Sequence, residues 1–545
     1  MEETIVERMG KPRVLITDPI APEGVAYLRR FTDVDERLGI TPAELEAIIG
    51  DYEALVVRSE TRVTAPVIRA APRLKIIGRA GIGVDNIDIE TATRQGVIVV
   101  NSPTGNIVAA AEHTIAMMLA LARHIPAANC SLKAGRWERS RFMGMELRHK
   151  VLGIVGLGKV GSEVARRARG LEMQVIAADP FASPEHATKL GVSLVSLDEL
   201  LTRADVVTIH ASLTASTRGL LGRRELALMK PTARLINCAR GGIVDEAALL
   251  EALEQGRLAG AALDVFSQEP PAHDNETLQR LIAADRVIVT PHLGASTEEA
   301  QVTVALDVAE QIVTVLQGGV ARTAVNAPII LPETLKVIQP YVSLVEKMGR
   351  LYTQLHPGPL RRVELMCSGE LAEYDHRLLK VALIKGLLES VSEARVNVVN
   401  AQLLAKQWGL EITERSTTAP EQYANLVTIR VVTDGEEHVL AGTIMWGEER
   451  IVRIDQYATD FDPQGRILIC RNVDRPGMIG KVGTILGNAN VNIRHMDVGP
   501  ARVNGERRPG GEALMILSVD DEVPQWALDQ IRATPNIFGL TMVQL

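Results

Sequence analysis

The stretch that most constrains the fold is Val151–Gly161, in which an apolar strand runs into a glycine-rich turn and then a helix. In such a pattern Gly156 makes the tight turn, Gly158 lets the backbone approach a pyrophosphate, and Gly161 lets the helix pack closely on the strand. The helix N-terminus adds free N–H groups and the positive end of a dipole, which bind phosphates. The stretch therefore predicts a dinucleotide-binding unit; the alternative is a glycine turn that only packs a strand on a helix.

A second strand, Met173–Ala178, follows this helix and ends at Asp179. This acid lies near the spacing of roughly 20 residues at which a carboxylate accepts hydrogen bonds from both ribose hydroxyls of a dinucleotide. Pro180 comes next, and no adjacent arginine is present to bind a 2'-phosphate. The sequence therefore favours NAD over NADP.

Length and charge limit the possible classes. A chain of 545 residues is too long for one core, and about 150 residues per domain suggests three or four domains. The net charge of −8 argues against a non-specific nucleic-acid binder, which needs a basic face, but it permits a local anion pocket. The acidic start, Met1–Thr4, and the lack of a long apolar run predict a cytoplasmic protein without membrane segments. We expect reduced thiols and no metal site, because the cysteines are scattered and no histidines stand at metal spacing: Cys130, Cys238, Cys367 and Cys470.

Strands and helices alternate from Arg13, a pattern typical of parallel α/β sheets. Arg58 follows the apolar strand Ala54–Val57, and Arg79 follows Leu74–Gly78. Ligands bind at the carboxyl ends of parallel strands, so two arginines at successive ends predict an anion site. The alternative is that each is an ordinary solvent-facing loop arginine.

A long apolar helix, Gly105–His124, is expected to cross between two domains. Glu112 and His113 in its middle are either ligands or, as we prefer, a hydrogen-bonded polar pair at the domain interface. The basic loop Lys133–Arg148 follows and carries Trp137, Arg139 and Arg141. It is too polar for a core, so we expect it to reach a partner subunit.

Further strands at 193–195, 205–210, 233–237, 258–263 and 287–290 complete a doubly wound domain around the glycine turn. Polar groups follow four of these strands: His210, Cys238–Gly242, Asp264–Glu269 and Pro291–Ser296. We expect them to converge on one cleft.

An arginine, a carboxylate and a histidine at three of these ends suit an oxidoreductase. Arg240 can bind a substrate carboxylate through two parallel hydrogen bonds, with Gly241 and Gly242 leaving room for the ligand. His292 can take the proton of a secondary alcohol as hydride leaves for a nicotinamide, since histidines titrate near working pH. Glu269, if bonded to the far ring nitrogen, would orient His292 and favour the charged ring.

These motifs resemble the D-isomer-specific 2-hydroxyacid dehydrogenase family over residues 10–326. The resemblance rests on the glycine turn and three further stretches: Asn237–Asp245, Ala262–Phe266 with Glu269, and Pro291–Thr297. It implies that Arg240, Glu269 and His292 form the catalytic set. It also implies a set of NAD-binding residues: Gly156, Gly158, Lys159, Val160, Gly161, Asp179, His210, Ala211, Cys238, Ala239, Arg240, Asp264, His292, Gly294 and Ala295. Ile82 departs from the family, because many members have threonine there beside the cofactor; we expect a lost hydrogen bond and an unchanged reaction.

Within that family, Gly78–Asp88, Trp137–Arg139 and Phe142–Gly144 resemble the long phosphoglycerate dehydrogenases, which carry an intervening domain and a C-terminal ACT domain. The resemblance implies NAD-dependent oxidation of D-3-phosphoglycerate to 3-phosphohydroxypyruvate, the first step of L-serine biosynthesis, by a homo-oligomer (dimer or tetramer). It implies a set of substrate residues: Arg58, Arg79, Arg139, Arg141 and Arg240.

The expected architecture is α/β with two doubly wound Rossmann-like domains, followed by an α+β intervening domain and a ferredoxin-like βαββαβ ACT domain. The expected boundaries are 10–107 with 296–326 for substrate binding, 108–295 for NAD binding, 327–462 for the intervening domain and 466–545 for the ACT domain. A composition shift near Leu331 marks the third domain, in which the sequence shows no reactive cluster.

Asp474 follows the first strand of the last domain and Asn492 opens the second, so we expect them to meet at one edge of the sheet. A carboxylate suits an ammonium group and an amide can bind a carboxylate, which makes the two residues candidates for an amino-acid effector site, with L-serine as the ligand. Both residue types also cap turns and helices.

Two other functions stay open. One is another D-2-hydroxyacid dehydrogenase or a glyoxylate or hydroxypyruvate reductase, which needs no second anion site. The other is a nucleotide-sensing corepressor or scaffold that has lost its chemistry, which the full set of Arg240, Glu269 and His292 disfavours.

Overall fold

The structure is a computed structural model that describes residues 10–328, 332–389, 396–419, 422–433, 436–503, 506–507 and 510–545. The acidic start at Met1–Thr4 and the composition shift at Leu331 lie outside these residues. The described strands form four main sheets and one short ribbon. The expected fold class is confirmed: two parallel α/β sheets precede a mixed sheet and an antiparallel one.

The first sheet is parallel and has five strands: β1 (Arg13–Ile16), β2 (Asp33–Glu36), β3 (Ala54–Val57), β4 (Ile76–Arg79) and β5 (Ile98–Asn101), in the order β2-β1-β3-β4-β5. Its helices are α1 (Pro22–Phe31), α2 (Pro42–Ile48), α3 (Ala65–Arg69) and α4 (Ile89–Arg94). Helix α2 begins with a capping box, in which the Thr41 and Glu44 side chains each accept the other residue's backbone N–H.

Two helices, α5 (Ile107–Ala122) and α6 (Ile125–Lys133), lead to the second sheet, with His124 left-handed at the break between them. The sheet has seven parallel strands: β6 (Val151–Val155), β7 (Gln174–Ala178), β8 (Ser193–Leu194), β9 (Val206–Ile209), β10 (Arg234–Asn237), β11 (Gly260–Leu263) and β12 (Val287–Val289), in the order β12-β11-β10-β9-β6-β7-β8. Its helices are α7 (Lys159–Gly170), α8 (Pro184–Leu190), α9 (Leu197–Arg203), α10 (Arg223–Leu228), α11 (Glu246–Glu254) and α12 (Glu276–Ala283). The chain reverses direction of winding between β6 and β9, which is where a doubly wound sheet binds its ligand.

Helix α13 (Glu298–Leu316) returns the chain to the first sheet. Gly78 in β4 has no side chain because a Cβ there would lie 2.5 Å from Val308 of this helix. The return helix therefore packs directly on the strand that ends at Arg79.

The third sheet is mixed and follows α14 (Pro332–Leu355), with α15 (Arg377–Leu388) and α16 (Ala401–Gln407) beside it. Its strands are β13 (Arg362–Gly369), β14 (Glu411–Thr417), β15 (Asn425–Val432), β16 (Glu437–Met445), β17 (Glu448–Ile454) and β18 (Tyr457–Phe461), in the order β14-β13-β15-β16-β17-β18. The sequence of this region shows no reactive cluster, but the fold brings His356, His438 and Asp455 together beside β16. These residues are far apart in sequence, so no local spacing could reveal them.

The fourth sheet is antiparallel: β19 (Arg466–Val473), β20 (Ile493–Pro500), β23 (Glu512–Val519) and β24 (Ile537–Gln544), in the order β20-β23-β19-β24. Its helices are α17 (Met478–Asn488) and α18 (Gln525–Arg532), and a short ribbon joins β21 (Arg502–Val503) to β22 (Glu506–Arg507). This is the expected βαββαβ order. One face of the sheet shares a core with the third sheet through Ile467, Leu514 and Val543.

The expected meeting of Asp474 and Asn492 within one chain is wrong. Arg466 and Ile493 both pair with Val519, so the starts of β19 and β20 are level, and Asp474 lies beyond the far end of β19. An eight-residue strand at about 3.4 Å per residue places the two side chains roughly 25 Å apart. Asn492 instead donates to Asp520 Oδ2 at 2.6 Å.

Among the described residues no single helix is long and apolar enough to span a membrane, although the bent pair α5 and α6 together meets the length and composition for one.

Candidate active site

The glycine turn after β6 has the form expected of a dinucleotide cradle. Gly156 takes a φ of +95°, and a Cβ there would lie 2.8 Å from the backbone of His210. A Cβ on Gly161 would clash with the carbonyl of Gly156, whereas one on Gly158 would meet nothing within 4 Å. The first and third glycines are therefore needed for packing. The second leaves the start of α7 open to a ligand.

Asp179 stands at the end of β7, beside this turn. Its carboxylate accepts the N–H of Leu157 at 2.7 Å and that of Phe181 at 2.8 Å. These two bonds fix the carboxylate next to the glycine turn, and its remaining lone pairs suit ribose hydroxyls. The turn and Asp179 together fit NAD.

Four strand ends of the second sheet lie side by side, because β9, β10, β11 and β12 are parallel neighbours. They carry His210, Cys238, Asp264 and Thr290. Burial lowers the pKa of His210 to about 4, which keeps its ring neutral beside Thr208. Burial, and then the charge of Asp264, raise the pKa of Cys238 to about 12. The expected convergence of strand ends on one edge is confirmed.

His292 and Glu269 form the central pair of the site. His292 Nδ1 lies 2.7 Å from Glu269 Oε2, and Glu269 Oε1 accepts the N–H of Phe266 at 3.0 Å. Burial by itself raises the pKa of Glu269, but the hydrogen bonds from His292 and Phe266 outweigh it, so the pKa is lowered. The ring is therefore held by a carboxylate on one nitrogen, and the other nitrogen is left for a ligand.

Asp264 organises the segment that carries His292. It is fully buried, and it accepts bonds from Thr290 Oγ1 at 2.5 Å, Leu293 N at 2.7 Å and Gly294 N at 2.9 Å. His292 N donates to its backbone oxygen at 2.9 Å, which supports the left-handed conformation of His292 (φ +55°). Asp264 thus fixes the histidine's position.

Sequence reasoning missed the contribution of α5 to this network. His113 Nε2 lies 3.2 Å from Asp264 Oδ1 and 3.2 Å from Thr290 Oγ1. The preferred pairing of Glu112 with His113 is wrong, since Glu112 bonds Arg167 of α7 at 2.9 Å instead. Neighbours on a helix point about 100° apart, a signal that could have separated the two residues.

Arg240 reaches from the second sheet across to the first. Its Nε donates to Asp85 Oδ2 at 3.2 Å and its Nη1 to the carbonyl of Ala239 at 2.7 Å. Asn237 supports this loop by donating to the carbonyl of Arg240 at 3.0 Å. The guanidinium therefore stands between the two sheets.

Arg58 and Arg79 lie at neighbouring strand ends of the first sheet, across from Arg240 on the second sheet. We call these three residues the arginine cluster. Burial, and then the positive charge of Arg240, lower the pKa of Arg79 to about 10; Arg58 adds to the effect. Arg79 Nε is buried without a hydrogen-bond partner among the described residues. Three neighbouring cations, one with an unused buried donor, make a site for an anion.

The role expected for Gly241 is wrong. A Cβ there would clash with the carbonyl of Phe266. This glycine therefore lets the loop after β10 pack against the loop after β11, and it does not leave room for a ligand. Gly242 takes a φ of +78°, a backbone conformation that favours glycine, so this residue is also explained by the backbone rather than by room for a ligand.

Arg139 and Arg141 do not join the arginine cluster of their own chain. Helix α5 starts beside Gly294 at the active edge, runs about 24 Å, and ends at the opposite edge near Gly260. The loop after α6 packs at that far edge, where Met145 bonds the carbonyl of Ala122. Trp137 and Met143 there are 76% and 81% exposed.

Comparisons with known proteins follow the same division of the chain. Residues 115–294 match the NAD-binding domain of the D-isomer-specific 2-hydroxyacid dehydrogenases, 337–455 the D-3-phosphoglycerate dehydrogenase intervening domain, and 466–536 the ACT domain. D-3-phosphoglycerate dehydrogenase of Archaeoglobus fulgidus is 45% identical over 98% of this chain and 100% of its own length. That of Bacillus subtilis is 41% identical over 98% and 99%. The chain belongs to the D-3-phosphoglycerate dehydrogenase family.

Solved structures of the wider dehydrogenase family match more than half of the chain. A D-lactate dehydrogenase from Aquifex aeolicus, solved with NAD and lactic acid, covers 58% of the chain with 26% identity and a TM-score of 0.53. A glyoxylate reductase from Paecilomyes thermophila does so with 30% identity and a TM-score of 0.53. The match covers 99% of the length of each of these structures, so the whole of each corresponds to part of this chain. The protein is an NAD-dependent dehydrogenase of this family.

Proposed function

We propose that the protein oxidises D-3-phosphoglycerate to 3-phosphohydroxypyruvate with NAD, as the first step of L-serine biosynthesis. The observation that carries the proposal is the pairing of His292 with Glu269 opposite the arginine cluster. An acid–base pair beside three arginines, with Arg240 on the second sheet and Arg58 and Arg79 on the first, suits a hydroxy acid with a phosphate at its far end. A glyoxylate reductase or another 2-hydroxyacid dehydrogenase has no use for a second anion site.

His292 is the proton acceptor in this proposal. Its Nδ1 is bonded to Glu269, so a neutral ring that donates from Nδ1 presents Nε2 as an acceptor to the substrate hydroxyl. The hydroxyl proton passes to Nε2, and the Glu269 carboxylate stabilises the resulting imidazolium. NAD, when bound at this site, would supply the acceptor for the hydride that leaves the carbon bearing that hydroxyl.

The arginine cluster holds the two ends of the substrate. Arg240 binds the carboxylate through two parallel hydrogen bonds, which its fork of donors allows. Arg79 and Arg58, on the first sheet, bind the phosphate. The two sheets then meet across the substrate, and binding aligns the reacting carbon with His292.

We assign NAD to the cradle after β6 and to the neighbouring strand ends. Gly156, Gly158 and the start of α7 with Lys159, Val160 and Gly161 would hold the pyrophosphate, and Asp179 would hold the ribose. The nicotinamide half borders a second group of residues: His210, Ala211, Cys238, Ala239, Asp264, Gly294 and Ala295. The expected domain boundaries are proposed with this assignment.

A spectrophotometric assay tests the proposal. We expect NADH formation with D-3-phosphoglycerate to exceed that with unphosphorylated D-glycerate and D-lactate by at least about 100-fold in kcat/KM, since contacts to a charged group contribute about 1.5–3 kcal/mol each. Equal rates on the unphosphorylated acids would favour the general 2-hydroxyacid dehydrogenase. The absence of turnover on any of them would favour a sensor or scaffold.

We further propose a cytoplasmic homo-oligomer, a dimer or tetramer, whose ACT domain senses L-serine. The exposed loop with Trp137, Arg139 and Arg141 supports an assembly. It lies too far from the active site of its own chain to contact a substrate there, and it is exposed to water. Asp474 and Asn492 can bind one serine only if they come from two copies. Inhibition also requires that serine favour one arrangement of the domains, because a ligand with equal affinity for both shifts nothing.

A further inference from the structure

Three side chains with metal-binding atoms meet at the joint between the third and fourth sheets. His356 is the first residue after α14, His438 is the second residue of β16, and Asp455 lies in the tight turn between β17 and β18. Their ligand atoms all lie within 4.8 Å of one another. None of them takes part in the active site.

The carboxylate of Asp455 is fixed by the backbone beside it. Its Oδ1 accepts the N–H of Val439 at 2.9 Å, and its own N–H donates to the carbonyl of Val439 at 2.7 Å. The other oxygen, Oδ2, lies 3.3 Å from His438 Nδ1 and 3.9 Å from His356 Nε2. One anchored oxygen therefore faces two imidazoles.

The surroundings leave further polar groups for a ligand. The ring of Tyr352, which is only 1% exposed, lies tilted against both imidazole rings, and its buried hydroxyl has no hydrogen-bond partner among the described residues. Glu436 Oε2, on the solvent side, lies 3.6 Å from His438 Nε2. A buried hydroxyl such as that of Tyr352 normally has a hydrogen-bond partner in a folded protein, either water or another group.

We propose that His356, His438 and Asp455 bind one divalent transition-metal ion of the zinc type. Two imidazoles and a carboxylate are a donor set that Zn²⁺ accepts, with a fourth position for water. Tetrahedral bonds of about 2.0 Å place donor atoms about 3.3 Å apart, which the His438–Asp455 pair already matches. The two rings are stacked at 3.6 Å, so binding turns His356, the more exposed of the two, to direct its Nε2 at the ion.

The ion would join three segments at the contact with the ACT sheet. Gln354, two residues before His356, bonds the backbone of Gln544 in β24 twice, at 3.0 and 2.9 Å. The site thus ties the end of α14 to β16 and to the β17–β18 turn, beside the docking of the last sheet. Its role is structural, and it lies outside the catalytic chemistry.

The test is metal titration of the full-length protein in a Cys130→Ser background, which removes the exposed thiol as a competing ligand. After treatment with EDTA and dialysis, Zn²⁺ is titrated by calorimetry and Co²⁺ by its visible absorption. We expect one ion per chain, a Zn²⁺-dependent rise in Tm, and at least about tenfold weaker binding in Asp455→Asn and in His438→Ala. His273→Ala, which removes an exposed histidine elsewhere, should bind as the background protein does.

Far-UV circular dichroism and the Tm without metal check that the variants fold, and His356→Gln replaces either variant that does not. Weakened binding in folded variants supports the site. The proposal is overturned if the background protein binds no metal, or if Asp455→Asn and His438→Ala bind it as tightly as the background protein does. Either result leaves a hydrogen-bonded His–Asp cluster without an ion.

Discussion

At the carboxyl edge of the second sheet and at the ends of the ACT sheet, the sequence predicts that residues next to different strands meet. The structure agrees with that prediction at the first place and contradicts it at the second. At the first, residues that follow different strands converge, and His292 meets Glu269 at 2.7 Å. At the second, Asp474 and Asn492 were expected to meet and lie at opposite ends of the strands.

The difference comes from strand direction and from the side of the strand on which a residue stands. In a parallel sheet every residue that follows a strand lies on one edge, so sequence position fixes the edge. Strands β19 and β20 also run in the same direction, with β23 between them. Asp474 follows its strand and Asn492 precedes its own, so the two must lie at opposite ends. Residues next to parallel strands share an edge of the sheet only when they all follow, or all precede, their strands.

The strongest way to test the convergent edge is His292→Ala. We expect kcat to fall by about 10² to 10⁴, since proton transfer by a positioned side chain is worth that much, while NAD affinity stays unchanged. Steady-state assays and NADH binding by fluorescence measure the two quantities, with His273→Ala as the control. Near-normal turnover would show that the edge converges without this histidine acting as the base.

The arginine cluster tests whether convergence extends across two sheets. Arg79→Ala should raise the KM for D-3-phosphoglycerate by about 10- to 100-fold, because a hydrogen bond to a charged group contributes about 1.5–3 kcal/mol. Arg58→Ala should act in the same direction, and the KM for NAD should not change. Arg69→Ala, an exposed arginine at the end of α3, is the matched control. An unchanged KM in both variants would place the phosphate elsewhere.

Much of the fold followed from local signals. The glycine turn, the strand-ending Asp179 and the alternation of strands and helices predicted two parallel sheets, and the spacing of the last region predicted βαββαβ. The residues that act through neighbours were not predictable. His113 reaches Asp264 from a helix more than 150 positions away in sequence, and His356 meets His438 only after the third sheet has formed. Tertiary contact of this kind leaves no period or spacing in the sequence.

The ACT sheet offers a test of the divergent ends. Asp474→Ala and Asn492→Ala should each abolish the inhibition by L-serine, although about 25 Å separates the two positions in one chain. Co-expression of the two mutant chains should restore part of the inhibition, because a mixed assembly can hold one site built from both intact residues. Assays with increasing serine measure the response. Failure of the mixed assembly to recover would exclude a site shared by these two residues.

A smaller effect is expected from the Glu269–His292 pair on stability. The pKa of Glu269 is lowered in the folded protein, so its contribution is fully present above the ordinary carboxyl pKa of about 4.3 and is lost as the pH falls through the lowered value. The Tm of the wild type should therefore exceed that of Glu269→Gln at pH 7, and the gap should shrink at acid pH. Thermal unfolding monitored across this range measures the gap. A gap that widens on acidification would mean that the carboxylate is not stabilised by its partners.

A last test concerns Cys238, which borders the same edge without any proposed part in proton transfer. Burial, and then the charge of Asp264, raise its pKa to about 12, so at pH 8 only about one molecule in 10⁴ carries the thiolate that reacts with alkylating agents. Cys130 is exposed and serves as the internal reference. Iodoacetamide should therefore label Cys130 at least about 100-fold faster, which mass spectrometry of timed digests can follow. Comparable labelling of Cys238 would show that the edge opens to solvent more than its packing implies, and bound NAD should then slow that labelling by covering the thiol.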